Sequence, residues 1–387
     1  MSRTKQFWFH DGPQQLLNWW TAPRNFGLRI AMVGLMFLLA PHSFDWTVHV
    51  IHQFKDGSVD MSVQSANLPF WLHMVCYAAA VILIGGGVGL GVRQHWQERQ
   101  MLSRRRVLVV EFRGMLDTTD TPLIAMAPAP ALSVKDEVLV DVRAFVERGV
   151  SEIDRAIDAI ARLPDRLKEK RVGRDRDDVS VVAGGLMPVP LLVYAGFLLG
   201  DEAALTLMDW RRHEGQWSEL TEADDAARFN IDPLPSAPSE EVVVAVSASY
   251  SVDAPGIERT FGELPLVGIR LNNPVPNALW SLEKQQALGQ QFLEVAAQLA
   301  GRGVKRIHLV LAAPSTLCMR IGSLYDDRNL PQLVIYQYEK SNNPPYPWGL
   351  LLPTHGITKA QIITAPTPSQ LMQSTTMEGV CQALTHI

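Results

Sequence analysis

The hydrophobic pattern of this chain begins with a long apolar run that ends abruptly in a basic segment. Residues 68–92 contain no Asp, Glu, Lys or Arg. As a helix, at about 1.5 Å per residue, they would reach past the ~30 Å hydrocarbon layer of a bilayer. The run therefore predicts a membrane-spanning helix. Basic residues beside a span resist translocation, so we expect the chain beyond it to lie in the cytoplasm. Five arginines follow the run, at Arg93, Arg99, Arg104, Arg105 and Arg106.

A shorter apolar stretch precedes this run and predicts a first span. Residues 26–41 are few for a crossing, but Arg29 can extend toward the headgroups and flanking tryptophans can lie at the interfaces. The loop that follows, residues 42–67, carries a single basic residue, Lys55. The pattern predicts a two-helix transmembrane hairpin with both ends inside, preceded by an interfacial segment at residues 1–25.

Histidines in this part raise the question of a metal site. His49 and His52 would lie one turn apart in a helix, but a metal needs further ligands, so an interfacial loop is the favoured interpretation. His73 lies near the outer end of the second span, and we expect it to be interfacial rather than functional.

Beyond residue 106 the pattern changes to strands that alternate with helices. Helical spacing predicts a long amphipathic helix, which begins with a capping box at Ser133 and Asp136 and continues to about Pro164. Two further helices are predicted at residues 188–200 and 279–300. Two successive strand-helix-strand blocks indicate an α/β fold with mostly parallel sheets. Apolar runs predict strands at residues 107–113, 179–183, 242–251, 266–273, 306–313 and 332–340.

A Pro- and Ser-rich segment at residues 232–241 predicts a boundary inside this α/β part. No identical repeats are visible, so a duplication is a hypothesis only. The expected regions are an interfacial segment (1–25), a hairpin (26–92), a basic linker (93–106), a first lobe (107–235) and a second lobe (236–387).

Composition excludes several classes of function. The net charge of −5 argues against binding of a DNA or RNA polymer by the whole chain. The three cysteines are odd in number and widely spaced, which disfavours a disulfide framework or a zinc site and suits a reducing cytosol. Six of the ten tryptophans fall in the first 100 residues, as expected for interfacial belts.

Catalytic motifs are absent from the sequence. There is no G-x-x-x-x-G-K-[ST], no H-E-x-x-H and no G-x-S-x-G. Cys318 stands near a predicted helix start, but no partner that would activate it can be assigned, and a buried structural thiol is favoured. We therefore expect that the protein is not an enzyme and that it holds no metal.

Small residues are spaced four apart in the second span. Gly85 with Gly89, and Gly87 with Gly91, form pairs that allow close helix packing. Their partner is either the first span of the same chain, around Gly34, or a neighbouring subunit. Both alternatives stay open, and both can hold together.

Two stretches of the α/β part resemble a known family. The run HLVLAAPSTLCMRIGSLYDDRNLPQLVIYQYE combines a buried strand, a small-residue turn with Pro, a helix with a Gly and a strand ending in tyrosines. It is similar to the C-terminal pattern of the SAVED domain, and LLVYAGFLLGDEAALTLMDWRRHEGQW resembles the pattern of its first half. The resemblance covers about residues 105–387.

The resemblance implies both fold and function. Two fused CARF-like, Rossmann-type lobes are expected to bind a cyclic oligonucleotide, a cyclic trinucleotide by the family's analogy, and no cofactor. With a two-span segment the chain resembles the transmembrane-SAVED effectors of CBASS anti-phage systems, in the bacterial inner membrane. Ligand-driven self-assembly of such effectors among the membrane lipids is thought to compromise the inner membrane, causing abortive infection.

Candidate ligand contacts follow the carboxyl ends of the predicted strands, where open α/β sheets bind ligands. Arg113 is the leading candidate for a phosphate contact, and Tyr250 for stacking on a base. Ser315 or Thr316 is expected to cap a helix whose N-terminus would favour an anion. The alternative is that each residue serves only as a cap or turn. The full set is Arg113, Gly114, Gly184, Gly185, Ser247, Tyr250, Asn272, Pro314, Ser315 and Thr316.

Two rival functions stay open. A membrane-tethered CARF-like enzyme would degrade the cyclic oligonucleotide through an activated ribose 2′-hydroxyl and release a linear product. A membrane scaffold without a nucleotide ligand would bind no cyclic di- or trinucleotide.

Overall fold

The computed structural model describes residues 26–43, 48–54, 57–63, 70–130, 133–202, 204–354 and 356–364. The chain divides into two compact units, Met1–Ser103 and Arg104–Ile387. Each is described by itself. The predicted interfacial segment at residues 1–25 lies outside the described residues.

The first unit contains two helices and a β-hairpin. Helix α1 is Phe26–Ser43, strands β1 and β2 are Val48–Phe54 and Gly57–Val63, and helix α2 is Phe70–Arg104. Within the described part, Met74–Gln97 of α2 is long and apolar enough to cross a membrane, while the apolar stretch Phe26–Leu38 of α1 is shorter. Its 18 residues still make α1 about 27 Å long, close to the hydrocarbon thickness.

Glycines bring α1 and α2 into backbone contact. A Cβ on Gly87 would lie 2.5 Å from the Ala31 amide nitrogen and 2.6 Å from the Gly27 carbonyl oxygen, and one on Gly34 would lie 2.9 Å from the Ile84 amide nitrogen. By contrast, a Cβ on Gly85 or Gly89 would meet open space. The hairpin is therefore packed through Gly87, and the Gly85 and Gly89 pair faces outward.

The segment between the two helices is strand rather than helix. His49 pairs with Ser62 and His52 with Val59 in the antiparallel β1–β2 ladder. The helical spacing considered for these two histidines therefore does not occur. Throughout the described ranges, no three His, Cys, Asp or Glu residues gather as a metal site would require.

The first sheet of the second unit has the order β4-β3-β5-β6-β7. Its strands are β3 (Arg106–Arg113), β4 (Val134–Asp141), β5 (Val179–Leu186), β6 (Leu205–Arg211) and β7 (Gln216–Glu219). All neighbours are parallel except β6 and β7, which form an antiparallel hairpin. Its helices are α3 (Leu123–Met126), α4 (Arg143–Val146), α5 (Ile153–Ala161), α6 (Leu163–Arg171) and α7 (Val189–Leu198).

The predicted long helix from Ser133 to Pro164 is wrong in its first half. Val138 and Val140 are buried alternately in β4, which pairs with β3 along its whole length. The Ser133 hydroxyl donates to the Pro130 carbonyl instead of capping a helix. Pairing with a buried central strand outweighs local helical spacing, because valines pack well on a pleated surface.

The second sheet has the order β14-β13-β12-β11-β9-β10-β8. Four central strands, β12, β11, β9 and β10, run parallel, and the remaining three add antiparallel edges. The strands are β8 (Asn230–Ile231), β9 (Glu241–Ser247), β10 (Leu266–Arg270), β11 (Arg306–Ala312), β12 (Gln332–Gln337), β13 (Trp348–Leu351) and β14 (Gln361–Thr364). Its helices are α8 (Ala254–Phe261), α9 (Leu282–Gly301) and α10 (Ser315–Leu324).

Strand β8 joins the second sheet although it precedes the Pro- and Ser-rich segment. Asn230 pairs with Arg270 and Ile231 with Ile269. The second sheet thus begins before residue 236, while the lobe boundaries themselves remain predictions.

The two sheets repeat one arrangement. The order β4-β3-β5-β6-β7 corresponds to β10-β9-β11-β12-β13. The amides of Gly114 and Met115 both donate to the Leu186 carbonyl, and those of Ala248 and Ser249 both donate to the Ala312 carbonyl. The α/β class with two Rossmann-type lobes is confirmed, and the equivalence supports a duplication that the residues alone do not reveal.

Equivalent helices of the two lobes cross at glycines. Gly196 of α7 lies eight residues after Pro188, and Gly322 of α10 lies eight residues after Pro314 (196 − 188 = 322 − 314 = 8). A Cβ on Gly196 would collide with the Met319 carbonyl, and one on Gly322 with the Val193 carbonyl. The two helices share one continuous hydrophobic core that joins both sheets.

Candidate ligand-binding site

A cleft of about 250 Å³ lies where strands of both lobes end. Strand β6 contributes its last residues from the first lobe, and the turns after β9 and β11 contribute from the second. This is the edge at which α/β sheets bind ligands. The lining residues are Leu186, Asp209, Trp210, Arg212, Ser249, Tyr250, Pro276, Asn277, Leu279, Trp280, Ala313, Pro314 and Ser315.

The floor of the cleft is a buried polar network that connects the lobes. The Thr316 hydroxyl of α10 donates to Asp209 Oδ2 at 2.8 Å, and the Trp210 amide donates to Asp209 Oδ1 at 2.8 Å. Gln285 Nε2 donates to Thr316 Oγ1 at 2.9 Å and to the Leu279 carbonyl at 2.7 Å. The first lobe therefore supplies the acceptor that caps the first turn of α10.

The pKa of Asp209 is raised, because burial disfavours its charged form. Hydrogen bonds from the Thr316 side chain and from the Trp210 and Thr316 amides oppose this, as does the positive charge of Arg212. Burial thus disfavours the charge of this carboxylate, while its hydrogen bonds and the nearby guanidinium favour that charge.

The walls are aromatic. Trp210 stands edge-on to Trp217, with ring centroids 5.3 Å apart. The Arg211 guanidinium carbon lies 4.2 Å from the centroid of Trp280, which is a cation–π contact that holds this wall. Tyr250 keeps 52% of its surface exposed. Faces of this kind stack on nucleic-acid bases.

Arg212 supplies positive charge at the cleft. It is exposed and lines the cavity, so it can reach a phosphate without breaking a buried pair. A larger cavity, of about 620 Å³, lies at the opposite ends of α7 and α10. Four carboxylates line it, those of Asp201, Glu202, Asp326 and Asp327, together with Arg171 and Arg328. Arg171 is paired with Glu202 and the carboxylates outnumber the arginines, so this second cavity is the poorer anion site.

Three of the predicted contacts meet in the cleft, namely Tyr250, Pro314 and Ser315. Thr316 lies directly beneath them, fully buried and bound to Asp209. No side-chain cap of α10 comes from its own turn, since Pro314 is the N-cap residue. The expectation that Ser315 or Thr316 caps this helix is therefore wrong, because Asp209 takes that role from the other lobe.

Arg113 lies outside this cleft and is engaged in a buried ion pair. Its Nε donates to Glu111 Oε1 at 2.7 Å, and its Nη1 donates to Thr119 Oγ1 at 3.1 Å. Glu111, fully buried, also accepts from the Leu123 amide at 2.8 Å. The hydrogen bond and charge of Glu111 raise the pKa of the Arg113 guanidinium. This pair orders the loop after β3.

The structure places the other candidates away from the cleft. A Cβ on Gly184 would lie 2.8 Å from the Trp217 ring, and one on Gly185 would lie 3.0 Å from Phe112 Cβ, so both allow close packing of β5. Gly114 packs on Met187. The Ser247 hydroxyl accepts from the Val252 amide at 3.2 Å, and Asn272 accepts from Asn230 at 2.6 Å.

No ligand role was predicted for several residues of the cleft, among them Trp210 and Arg212. The signal available was the run DWRR at the end of the segment that forms β6. Trp280 and Asn277 carried no such signal, since they lie in a turn after the second lobe's β10. Asp209 could not be assigned, because its partner Thr316 is 107 residues away.

Comparisons with known families match both parts of the chain. Residues 163–352 match the SMODS-associated and fused to various effectors sensor domain, SAVED. Residues 8–157 match the SAVED-fused 2TM effector domain. The chain is a transmembrane-SAVED protein. The resemblance expected from the sequence is confirmed, and this SAVED protein joins a sensor domain to a membrane effector domain. A comparison with curated proteins finds no match.

Solved structures similar to this SAVED protein include the Acinetobacter baumannii Cap4 SAVED/CARF-domain containing receptor. With the cyclic trinucleotide 2′3′3′-cAAA, that structure gives a TM-score of 0.43 at 11% identity, covering 70% of this chain and 58% of that chain. The structure with 3′3′3′-cAAA gives a TM-score of 0.46 at 10% identity, covering 70% of this chain and 60% of that chain. A third structure of the same receptor gives a TM-score of 0.41 at 10% identity, covering 71% of this chain and 59% of that chain. The SAVED protein thus spans about three fifths of these chains.

Proposed function

We propose that this SAVED protein is an anti-phage CBASS effector. Its cytoplasmic SAVED domain binds a cyclic oligonucleotide, the chain oligomerises, and the transmembrane hairpin disrupts the bacterial inner membrane, causing abortive infection. The observation that carries the proposal is the cleft at the strand ends, with its aromatic walls and Arg212, in a chain that joins a sensor domain to a 2TM effector domain.

The cleft chemistry fits a small nucleotide ligand better than a nucleic-acid polymer. Trp210 and Tyr250 offer ring faces for bases, and Arg212 offers a guanidinium for a phosphate. The cleft, of about 250 Å³, is small for a whole cyclic trinucleotide. The remainder of the ligand would lie outside the cleft, available to the next molecule. We infer that ligand shared in this way drives assembly.

We further propose that the protein senses the ligand without cleaving it. Among the described residues that line the cleft, Asp209 is the single carboxyl, and no histidine, lysine or cysteine lines the cleft with it as a partner acid. This supports a receptor over the rival that degrades cyclic oligonucleotides. Release of linear product from 3′3′3′-cAAA, measured by mass spectrometry, would instead support that rival.

The membrane part suits assembly. Two helices cannot enclose a water path alone, so several hairpins must gather. The outward pair Gly85 and Gly89 leaves a smooth helix surface where the helix of a neighbouring subunit can approach closely. We propose an orientation with both chain ends in the cytoplasm, on the evidence of the arginines after the second span.

Coupling between cleft and membrane has one energetic requirement. The ligand must bind the assembled state more tightly than the separate molecule, since a ligand with equal affinity for both shifts nothing. The apolar part of α1, Phe26–Leu38, is shorter than α1 itself and short for a bilayer, so first spans that are brought together would then thin or breach the membrane.

The test uses the full chain in lipid vesicles loaded with a fluorescent dye. The ligand 3′3′3′-cAAA should bind to the wild type, and its addition should release dye from the vesicles. Arg212→Ala should weaken binding about tenfold or more, as expected for a lost charge-assisted hydrogen bond. The matched control is Arg155→Ala. Arg155 is an exposed arginine of helix α5 that pairs with Glu152, and its removal should change neither ligand binding nor dye release.

Two substitutions of Tyr250 distinguish base stacking by its ring from hydrogen bonding by its hydroxyl. Tyr250→Phe keeps the ring and should bind normally, whereas Tyr250→Ala should lose about 1–3 kcal/mol of binding free energy. Tight binding by the wild type without dye release would contradict the effector half of the proposal. Failure to bind any cyclic di- or trinucleotide would contradict the receptor half.

A further inference from the structure

The cleft floor carries a carboxylate at the place where a helix N-terminus would otherwise attract an anion. Asp209 accepts hydrogen bonds from the Trp210 amide and the Thr316 hydroxyl, each at 2.8 Å, and from the Thr316 amide. A carboxylate has about four acceptor positions, so one remains. Asp209 is 8% exposed, and it lines the cleft.

Capping of this helix does not require a charge. The equivalent helix of the first lobe, α7, is capped by Gln337, whose Oε1 accepts from the Val189 amide at 3.2 Å. Gln337 occupies in β12 the place that Asp209 occupies in β6, since Ala183 pairs with Leu207 and the equivalent Leu309 pairs with Ile335. A neutral amide thus performs the same structural task in this molecule, which leaves the charge of Asp209 to be explained.

We propose that Asp209 determines ligand specificity by accepting a hydrogen bond from a neutral donor of the ligand, either a base amino group or a ribose hydroxyl. The same carboxylate repels phosphates from the floor, so they turn toward Arg212 at the mouth of the cleft. This inference rests on the proposed function, because it takes the ligand to be a cyclic oligonucleotide.

The orientation follows from acceptor chemistry. A carboxylate that accepts several hydrogen bonds has acceptor capacity for N–H and O–H groups but nothing to offer a phosphodiester, which has only acceptors. Ligand groups that match it are the adenine amino group and the 2′-hydroxyl. A wrong base without the donor would leave a buried acceptor unpaired, which is the strongest source of discrimination in polar sites.

The first experiment leaves the protein unchanged. Wild-type full chain in detergent is titrated with 3′3′3′-cAAA, with the same ring carrying purine in place of adenine, and with its 2′-deoxy form. Loss of about tenfold or more with the purine ring assigns the base amino group, and the same loss with the deoxy ring assigns the ribose hydroxyl. Equal binding of all three rings overturns the inference while leaving the proposed function standing.

The second experiment combines ligand and protein changes. Asp209→Asn should bind 3′3′3′-cAAA about tenfold more weakly, and it should no longer distinguish the three rings, because the coupled pair has been removed. Tighter binding by Asp209→Asn would show that the carboxylate only repels ligand and would overturn the inference. A wild type that binds no cyclic oligonucleotide overturns the proposed function together with it.

Discussion

Replacement of Gly196 or Gly322 by alanine tests whether the helix crossing holds the two lobes together. A Cβ on Gly196 would collide with the Met319 carbonyl oxygen and would lie 2.6 Å from its carbonyl carbon, whereas ordinary contact begins at 3.4 Å, so the helices must separate by at least about 0.8 Å (3.4 − 2.6). The obstacle is backbone, which cannot rotate away as a side chain can. Overpacking of this kind costs about 1–3 kcal/mol, and we expect the upper end.

The cost should be visible in thermal unfolding of the purified full chain. For a domain of this size each kcal/mol lowers Tm by roughly 2–4 °C, so a cost of about 3 kcal/mol in Gly196→Ala should lower Tm by about 6–12 °C. Gly322→Ala should act similarly. The double variant should fall short of the sum, because both changes push apart the same pair of helices.

Gly301→Ala is the matched control. Gly301 is an exposed helical glycine at the end of α9, and a Cβ there would meet nothing within 4 Å. Alanine should raise stability by about 0.5–1 kcal/mol, since glycine is the poorer helix former. If Gly196→Ala and Gly301→Ala unfolded alike, the close crossing would not be what joins the lobes.

Three further predictions concern other parts of the molecule. Glu111→Gln leaves a buried arginine unpaired and should cost about 3–5 kcal/mol in denaturant unfolding, whereas Glu240→Gln, at an exposed pair, should cost about 1 kcal/mol or less. The raised pKa of Asp209 means that the folded state binds more protons, so its contribution to stability should fall as pH rises above about 4, and Asp209→Asn should abolish this component. In vesicles, Gly85→Leu should block cross-linking between subunits while the hairpin stays packed, whereas Gly87→Leu should disrupt the packing of the hairpin itself. Equal effects of the two substitutions would refute the conclusion that Gly85 faces outward and Gly87 faces α1.

Much of the architecture was predictable because it depends on local pattern. The second span follows from a run without charges, and the buried strands follow from continuous apolar residues such as those of β9 and β11. The predicted helices at residues 188–200 and 279–300 appear as α7 and α9, with small shifts at their ends. Each such signal lies within a few neighbouring residues, so one chain suffices to show it.

The candidate site was predictable only in part. Tyr250 and Ser315 lie in the cleft because they follow strands that end at a shared edge. Arg113 follows a strand too, but its guanidinium is engaged by Glu111, two residues earlier on the same strand. The sequence shows that an arginine is present. Its partner depends on which polar and charged groups the folded chain buries beside it.

The amino-acid sequence by itself determined the membrane hairpin, the α/β class and the edge at which the cleft lies, because these follow from burial patterns along the chain. Tertiary structure alone decided that residues 134–141 are a strand, that Asp209 caps a helix of the other lobe, and which glycine pair faces outward. Those outcomes depend on contacts between residues far apart in sequence, and the free energy of such contacts outweighs local preference.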